Sequence, residues 1–163
     1  MNERVEVVMQ DGAAETWTLG ASEDPPWTVT LTTESGVTYT GEGDDLFQAL
    51  QEVRRPLDDQ MIRLCCNGAR RNAHTSGATS RQGGFMVYLN HRWRPATIRD
   101  LVYVFGPAQP EDVATVEEQE HFWRDFIERR SPAWLVVLNP VRWFYYATRS
   151  WQGFGRRGRM PMG

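Results

Sequence analysis

Between Arg4 and Gly43 apolar and polar residues alternate in short runs, and this period of two limits what the rest of the chain can pack against. RVEVVMQ and ETWTL flank Asp11-Gly12, a dipeptide favoured in tight hairpin turns. PPWTVTLTT and VTYTGEG flank Glu34-Ser35-Gly36, and their Thr, Val and aromatic content suits half-buried strands. The first third of the chain is therefore read as antiparallel β, a sheet with one apolar face to cover.

The periodicity then lengthens to about 3.6. Asp44 or Asp45 can cap a helix whose Leu46, Phe47, Leu50 and Val53 share one face, and Pro56 is expected to end it. MIRLCC reads as a buried strand, and FMVYL and LVYVF as two more. A second helix is expected from about Glu111 to Arg129, with a capping signal at Thr115-Val-Glu-Glu and an apolar stripe of Val116, Phe122, Trp123, Phe126 and Ile127. Four strands, a helix, a strand, a long loop, two strands and a helix define an α+β fold, a mainly antiparallel sheet with two helices packed on one face. Residues 1–130 form that single domain. From Ser131 an aromatic, apolar stretch broken at Asn139-Pro140 leads to a basic, Gly-rich end, and residues 131–163 are read as a C-terminal extension.

At 163 residues with 40% apolar and 12% aromatic side chains, the chain can bury a proper core. A net charge of −3 predicts no partner by itself, but its distribution is uneven. Residues 1–60 carry 3 Arg against 13 Asp and Glu, residues 61–109 carry 7 Arg against Asp100 alone, and the last 33 residues hold 5 Arg and no acid. Left unneutralised, these blocks give an acidic sheet face and a basic loop face. All 18 basic residues are Arg, which a GC-rich genome explains more simply than selection for anion binding. Cys65 and Cys66 are adjacent, so a disulfide framework is not expected, and no run reaches the roughly 18 apolar residues of a membrane span. With no apolar leader after the opening MNERVEVVMQDG, a cytoplasmic protein is expected.

The segment Leu64–Gly84, LCCNGARRNAHTSGATSRQGG, concentrates the chemistry. Long polar loops within compact domains tend to be functional or disordered. Cys66, His74 and Ser76, with His91 and His121 further along, are the candidate nucleophiles and bases, but no spacing enforces contact between them, and Cys66 as a small buried core residue with His74 as a solvated loop residue is the favoured reading. Asn67, Arg70, Arg71 and Arg81, with flexible Gly nearby, could cradle an anion, but the GK[ST] ending of a nucleotide-binding loop is missing. Adjacent cysteines and scattered histidines lack the ligand spacing of structural zinc, so neither metal nor cofactor is expected. Asp44 and Asp45 are read as caps, solvated charge or partner-binding groups.

Leu64, Cys66-Asn67-Gly68-Ala69-Arg70, Ser76-Gly77 and Gly83-Gly84, preceded by Gly43-Asp44-Asp45-Leu46-Phe47 and followed by Ala114-Thr115-Val116-Glu117-Glu118-Gln119, resemble a group of small bacterial cytosolic α+β proteins with a CNGAR-type loop. The resemblance spans roughly Trp27 to Arg130. It implies one α+β domain and brings no enzymatic activity with it. Cys65, Asn72, His74 and the extension after Ser131 depart from the group's pattern.

Three functional readings follow. The first is a non-enzymatic, immunity- or antitoxin-like protein that neutralises a protein partner, such as a toxin, through a charged surface; nucleic acid is not the expected partner. The second is an enzyme or an anion- or nucleotide-binding module centred on Leu64–Gly84. The third is a membrane-peripheral protein that uses residues 131–163.

Overall fold

The computed structural model describes residues 1–130. Strands β1 (Asn2–Val8), β2 (Ala14–Ala21), β3 (Trp27–Thr32) and β4 (Thr38–Gly43) follow one another as antiparallel hairpins. Turn chemistry sets their register: Gly12 and Gly36 take φ of 84° and 86°, which L side chains resist, and Val5 faces Trp17 while Leu31 faces Tyr39. After helix α1 (Leu46–Asp58), the expected strand MIRLCC shortens to β5 (Arg63–Leu64), which pairs with β1. The five-stranded sheet has the order β4-β3-β2-β1-β5.

The apolar positions of the alternation form the core. Val5, Val7, Trp17, Leu19, Val29 and Leu31 face Leu46, Leu50, Val53 and Leu57 of α1, all at most 4% exposed. On β4 the inward positions are Gly41 and Gly43, and α1 lies directly on them: a Cβ at Gly41 would stand 2.3 Å from the Ala49 carbonyl oxygen and 2.5 Å from the Val53 nitrogen. The other sheet face carries Thr16, Thr18, Thr28, Thr30, Thr32, Thr38 and Thr40 with Arg4, Glu6 and Glu42. It is a threonine surface, and the acidic sheet face expected from charge counting is not formed.

Pro56 does not end α1, contrary to expectation; the helix continues to Asp58. The missing Pro56 N–H costs one hydrogen bond in the last turn, which burying Leu57 at 0% exposure outweighs. The chain leaves the helix through Met61, whose φ is 56°, and the Ile62 amide donates back to the Leu57 carbonyl at 2.9 Å.

Leu64–Gly84 is ordered rather than an open loop. It contains a 3-10 turn (Asn67–Ala69), strand β6 (Ala73–His74) and a short helix α2 (Gly77–Arg81). Strand β6 pairs with β7 (Met86–Leu89), which pairs with β8 (Leu101–Tyr103), so FMVYL and LVYVF build a second, three-stranded antiparallel sheet. The final helix α3 (Val116–Arg130) starts later than expected, because Asp112, Val113 and Ala114 pair with Arg71, Arg70 and Ala69 before Thr115 caps it. A compact unit covers Met1–Asp125, and Phe126 opens a second one. The α+β class holds, with two sheets in place of one. Among the described residues no helix is long and apolar enough to cross a membrane. The 131–163 extension lies outside the described residues.

Candidate functional site

The separated motifs GDDLF and GG meet at the start of α1, and CNGAR and ATVEEQ meet behind it. Asp45 is the α1 N-cap: its backbone is extended, and its Oδ1 accepts from the Gln48 amide at 2.8 Å. The next orphan donor of the helix, the Leu46 amide, is taken by the Gly83 carbonyl at 3.0 Å. Gly84, at φ 71°, lies so close to Asp45 that an added Cβ would stand 2.9 Å from its Cγ. The Gly pair that closes the loop thus completes the start of α1. Asp45 is 0% exposed, and its Oδ2 is buried without a hydrogen bond.

Behind this cap, Arg54 and Gln119 tie the CNGAR segment to both long helices. Arg54 is 2% exposed and donates to the carbonyls of Gly68 and Ala114 and to Gln119 Oε1. Gln119, 1% exposed, donates to the carbonyls of Gly68 at 2.9 Å and Arg70 at 2.8 Å. These carbonyls have no regular ladder to satisfy them, and buried backbone acceptors are expensive to leave unpaired. Burial lowers the Arg54 pKa, although Cys66 and Asp58 nearby favour its charged form. No carboxylate hydrogen-bonds it among the described residues, and neutral oxygens carry the guanidinium.

The candidate catalytic residues are committed elsewhere. Cys66 is fully buried in the core, and desolvation pushes its thiol up, opposed in part by Arg54. Cys65, 3% exposed, is pushed up to about 11 by burial and by Glu6. Ser76 is the N-cap of α2, its Oγ accepting from the Thr79 amide. No hydrogen bond among the described residues links Cys66, His74 and Ser76. Of the candidate anion binders, Asn67 donates from Nδ2 to the Tyr103 carbonyl at 3.1 Å, Arg70 pairs with Asp112 at 3.0 Å, and Arg71 meets Glu118 at 3.4 Å. Arg81 is exposed in the last turn of α2. The expected basic loop face is largely neutralised from α3 and the segment before it. Among the described residues no three His, Cys, Asp or Glu side chains are grouped to hold a metal ion.

His74 is the exception in the loop. It stacks on Trp123, with ring centroids 3.7 Å apart and planes 14° from parallel, and its other neighbour is Phe47 at 5.6 Å. Its Nδ1 donates to the Thr75 carbonyl at 2.6 Å, which leaves the lone pair on Nε2. Burial lowers its pKa, against smaller raising effects of the Thr75 carbonyl and the Asp45 carboxylate, so the ring is held neutral. Phe122 and Trp123, expected as core, are half-buried, and Trp123 serves as one wall of this stack.

His74 and Phe47 line an open cleft of about 470 Å³ with Glu42, Gly43, Asp44, Gln48, Gln51, Glu52, Arg55 and Thr75. Arg55 is already held by Glu52 at 3.0 Å and by Glu120 at 2.8 Å. The remaining polar lining comes from Glu42, on the outer face at the edge of the sheet, from Asp44, and from two glutamines, of which Gln48 Oε1 accepts from the Asp44 amide at 3.3 Å and Gln51 Nε2 donates to Gln119 Oε1 at 3.4 Å. Asp44, exposed, faces this cleft, whereas Asp45 is withdrawn into the cap. Sequence reading missed the site because Glu42, Gln48 and Gln51 look like ordinary solvated positions. The one available signal was that polar i, i+3 pair on the α1 face opposite Leu46 and Leu50.

No protein-family model matches the chain, and no curated protein is similar to it in sequence.

Proposed function

We propose that this chain is a non-enzymatic, protein-binding protein of the immunity or antitoxin kind, and that it receives a basic side chain of its partner in the cleft beside His74. The observation that carries the reading is the lining of that cleft: Glu42 and Asp44 border it and form no ion pair among the described residues, beside the edge of the neutral His74 ring. Such a pocket suits a guanidinium or ammonium, which gains charge-assisted hydrogen bonds to the carboxylates. The separate commitments of Cys66, His74 and Ser76 support a binding role over catalysis. An acidic patch also steers a basic partner, such as a nuclease with a positively charged cleft, toward productive encounter.

Co-expression with the protein encoded by the adjacent gene tests the reading. That protein alone arrests growth, and this chain restores it by forming a complex that survives gel filtration. A non-toxic neighbour that does not bind would reject the proposal.

A further inference from the structure

The connection between β7 and β8 exposes more apolar surface than any other described stretch. Trp93 is 90% exposed and Ile98 74%, the highest values among the large hydrophobic residues that are described. Residues 92 to 99 are exposed throughout except for the half-buried Ala96. Two large apolar side chains this exposed within one short connection single it out as a contact surface.

The connection has internal structure. Asp100, 8% exposed, accepts from Arg94 Nη1 and Nη2 at 2.6 Å each, from the Thr97 amide at 2.8 Å, from Thr97 Oγ1 at 2.9 Å and from His91 Nε2 at 3.0 Å. These bonds, the Arg94 pair foremost, hold the Asp100 carboxyl far below the usual carboxylate range. The isolated bridge between His91 and Arg94 closes the base of the turn. One buried carboxylate thereby fixes both arms of the connection, and the two apolar side chains are presented on a preorganised support, which lowers the ordering cost of insertion.

Charge defines what the tip meets. Arg92 lies over the Phe122 ring at 5.8 Å, and Arg99 is exposed, so two guanidiniums flank Trp93 and Ile98 while Arg94 is neutralised by Asp100. An anionic surface complements that pattern. Two guanidiniums outside any ion pair among the described residues, one of them lying over Phe122, are few for nucleic acid, whose affinity comes mainly from phosphate contacts, and Ile98 offers no face for base stacking. An exposed Trp and an exposed aliphatic residue beside arginines suit a bilayer interface, where indoles sit at headgroup depth and guanidiniums reach lipid phosphates. The chain after Ser131 carries the same mixture of Trp, Tyr and Arg without an acidic residue. We infer that the Trp93–Ile98 connection is a membrane-contact tip that inserts its two apolar side chains into the headgroup region of an anionic bilayer, a role independent of the acidic cleft.

Flotation of the full chain with vesicles tests this, using phosphatidylcholine alone or mixed with phosphatidylglycerol. The wild-type chain floats with the mixed vesicles and less with phosphatidylcholine. Trp93→Ala lowers the partition coefficient on the order of tenfold, Ile98→Ala acts in the same direction, and Trp93→Phe recovers most of the loss. Brominated lipid quenches part of the wild-type tryptophan emission, and that part is missing from Trp93→Phe. Far-UV circular dichroism confirms that each variant is folded. Absence of wild-type flotation overturns the inference, as does flotation that Trp93→Ala and Ile98→Ala together leave unchanged. Trp93-dependent binding of a single-stranded oligonucleotide without flotation would overturn it in favour of nucleic acid.

Discussion

Replacing Arg54 by Met separates the role of its hydrogen bonds from that of its bulk. Methionine retains the aliphatic stem, so packing against α1's neighbours changes little, but the Ala114 carbonyl loses its side-chain donor and Gln119 Oε1 keeps only the 3.4 Å contact from Gln51. Orphaning two buried acceptors costs about 2–4 kcal/mol, less whatever is regained because no guanidinium has to be desolvated. The Gly68 carbonyl retains Gln119 Nε2. Gln119→Leu does the converse, leaving a charged guanidinium at a 2% exposed site without its side-chain acceptor, and is expected to cost about 3–5 kcal/mol. The double variant strands neither side chain but removes both donors of the Gly68 carbonyl, so its loss is expected to depart from the sum of the two single losses by more than about 0.5 kcal/mol. Urea unfolding followed by far-UV circular dichroism measures all three, with the m-value checking that the transition stays two-state. A cost below about 0.5 kcal/mol for Arg54→Met would refute the claim that this pair fastens the loop.

Other expectations rest on separate contacts. In the native protein at neutral pH neither cysteine reacts with a soluble disulfide reagent, because both are buried with their thiols pushed up; both react after denaturation, and rapid labelling of the folded chain would contradict their placement. His74 is protonated less readily folded than unfolded, so its contribution is complete above the unfolded value near 6.5 and is lost as pH falls below that toward the lowered native value. The slope cannot exceed about 1.4 kcal/mol per pH unit for one group, and His74→Phe should flatten the melting temperature between pH 7.5 and 5.5. Met61→Gly should stabilise the fold by about 0.5–1 kcal/mol, because φ of 56° at a helix end suits glycine; unchanged stability would argue against that backbone.

The sequence was most legible where local rules decide structure. Asp11-Gly12 and Ser35-Gly36 gave the hairpins, alternation gave the buried set from Val5 to Leu31, and of the two cap candidates the structure selects Asp45. It was least legible where a partner lies far along the chain. Arg54 reads as a polar helix position, yet its acceptors come from Gly68, Ala114 and Gln119. Pro56 reads as a stop, but burial of Leu57 overrides it. Of Cys, His and Ser in one loop, Cys66 is core as its apolar flank suggests, Ser76 is a cap, and His74, expected in solvent, is a ring stacked on Trp123. Arg70 and Arg71 read as an anion cradle until Asp112 and Glu118 approach from elsewhere in sequence. The cleft left only the Gln48 and Gln51 pair as a trace, because Glu42 and Asp44 meet His74 and Thr75 only through the tertiary fold.

The central claim is that Glu42 and Asp44 beside His74 receive a basic partner. Calorimetric titration of the adjacent gene's product with the wild-type chain and with Glu42→Lys/Asp44→Lys tests it most directly. Reversing both charges is expected to weaken the complex on the order of a hundredfold and to remove most of its salt dependence, while leaving the fold intact. A dissociation constant unchanged by the double reversal would contradict the account.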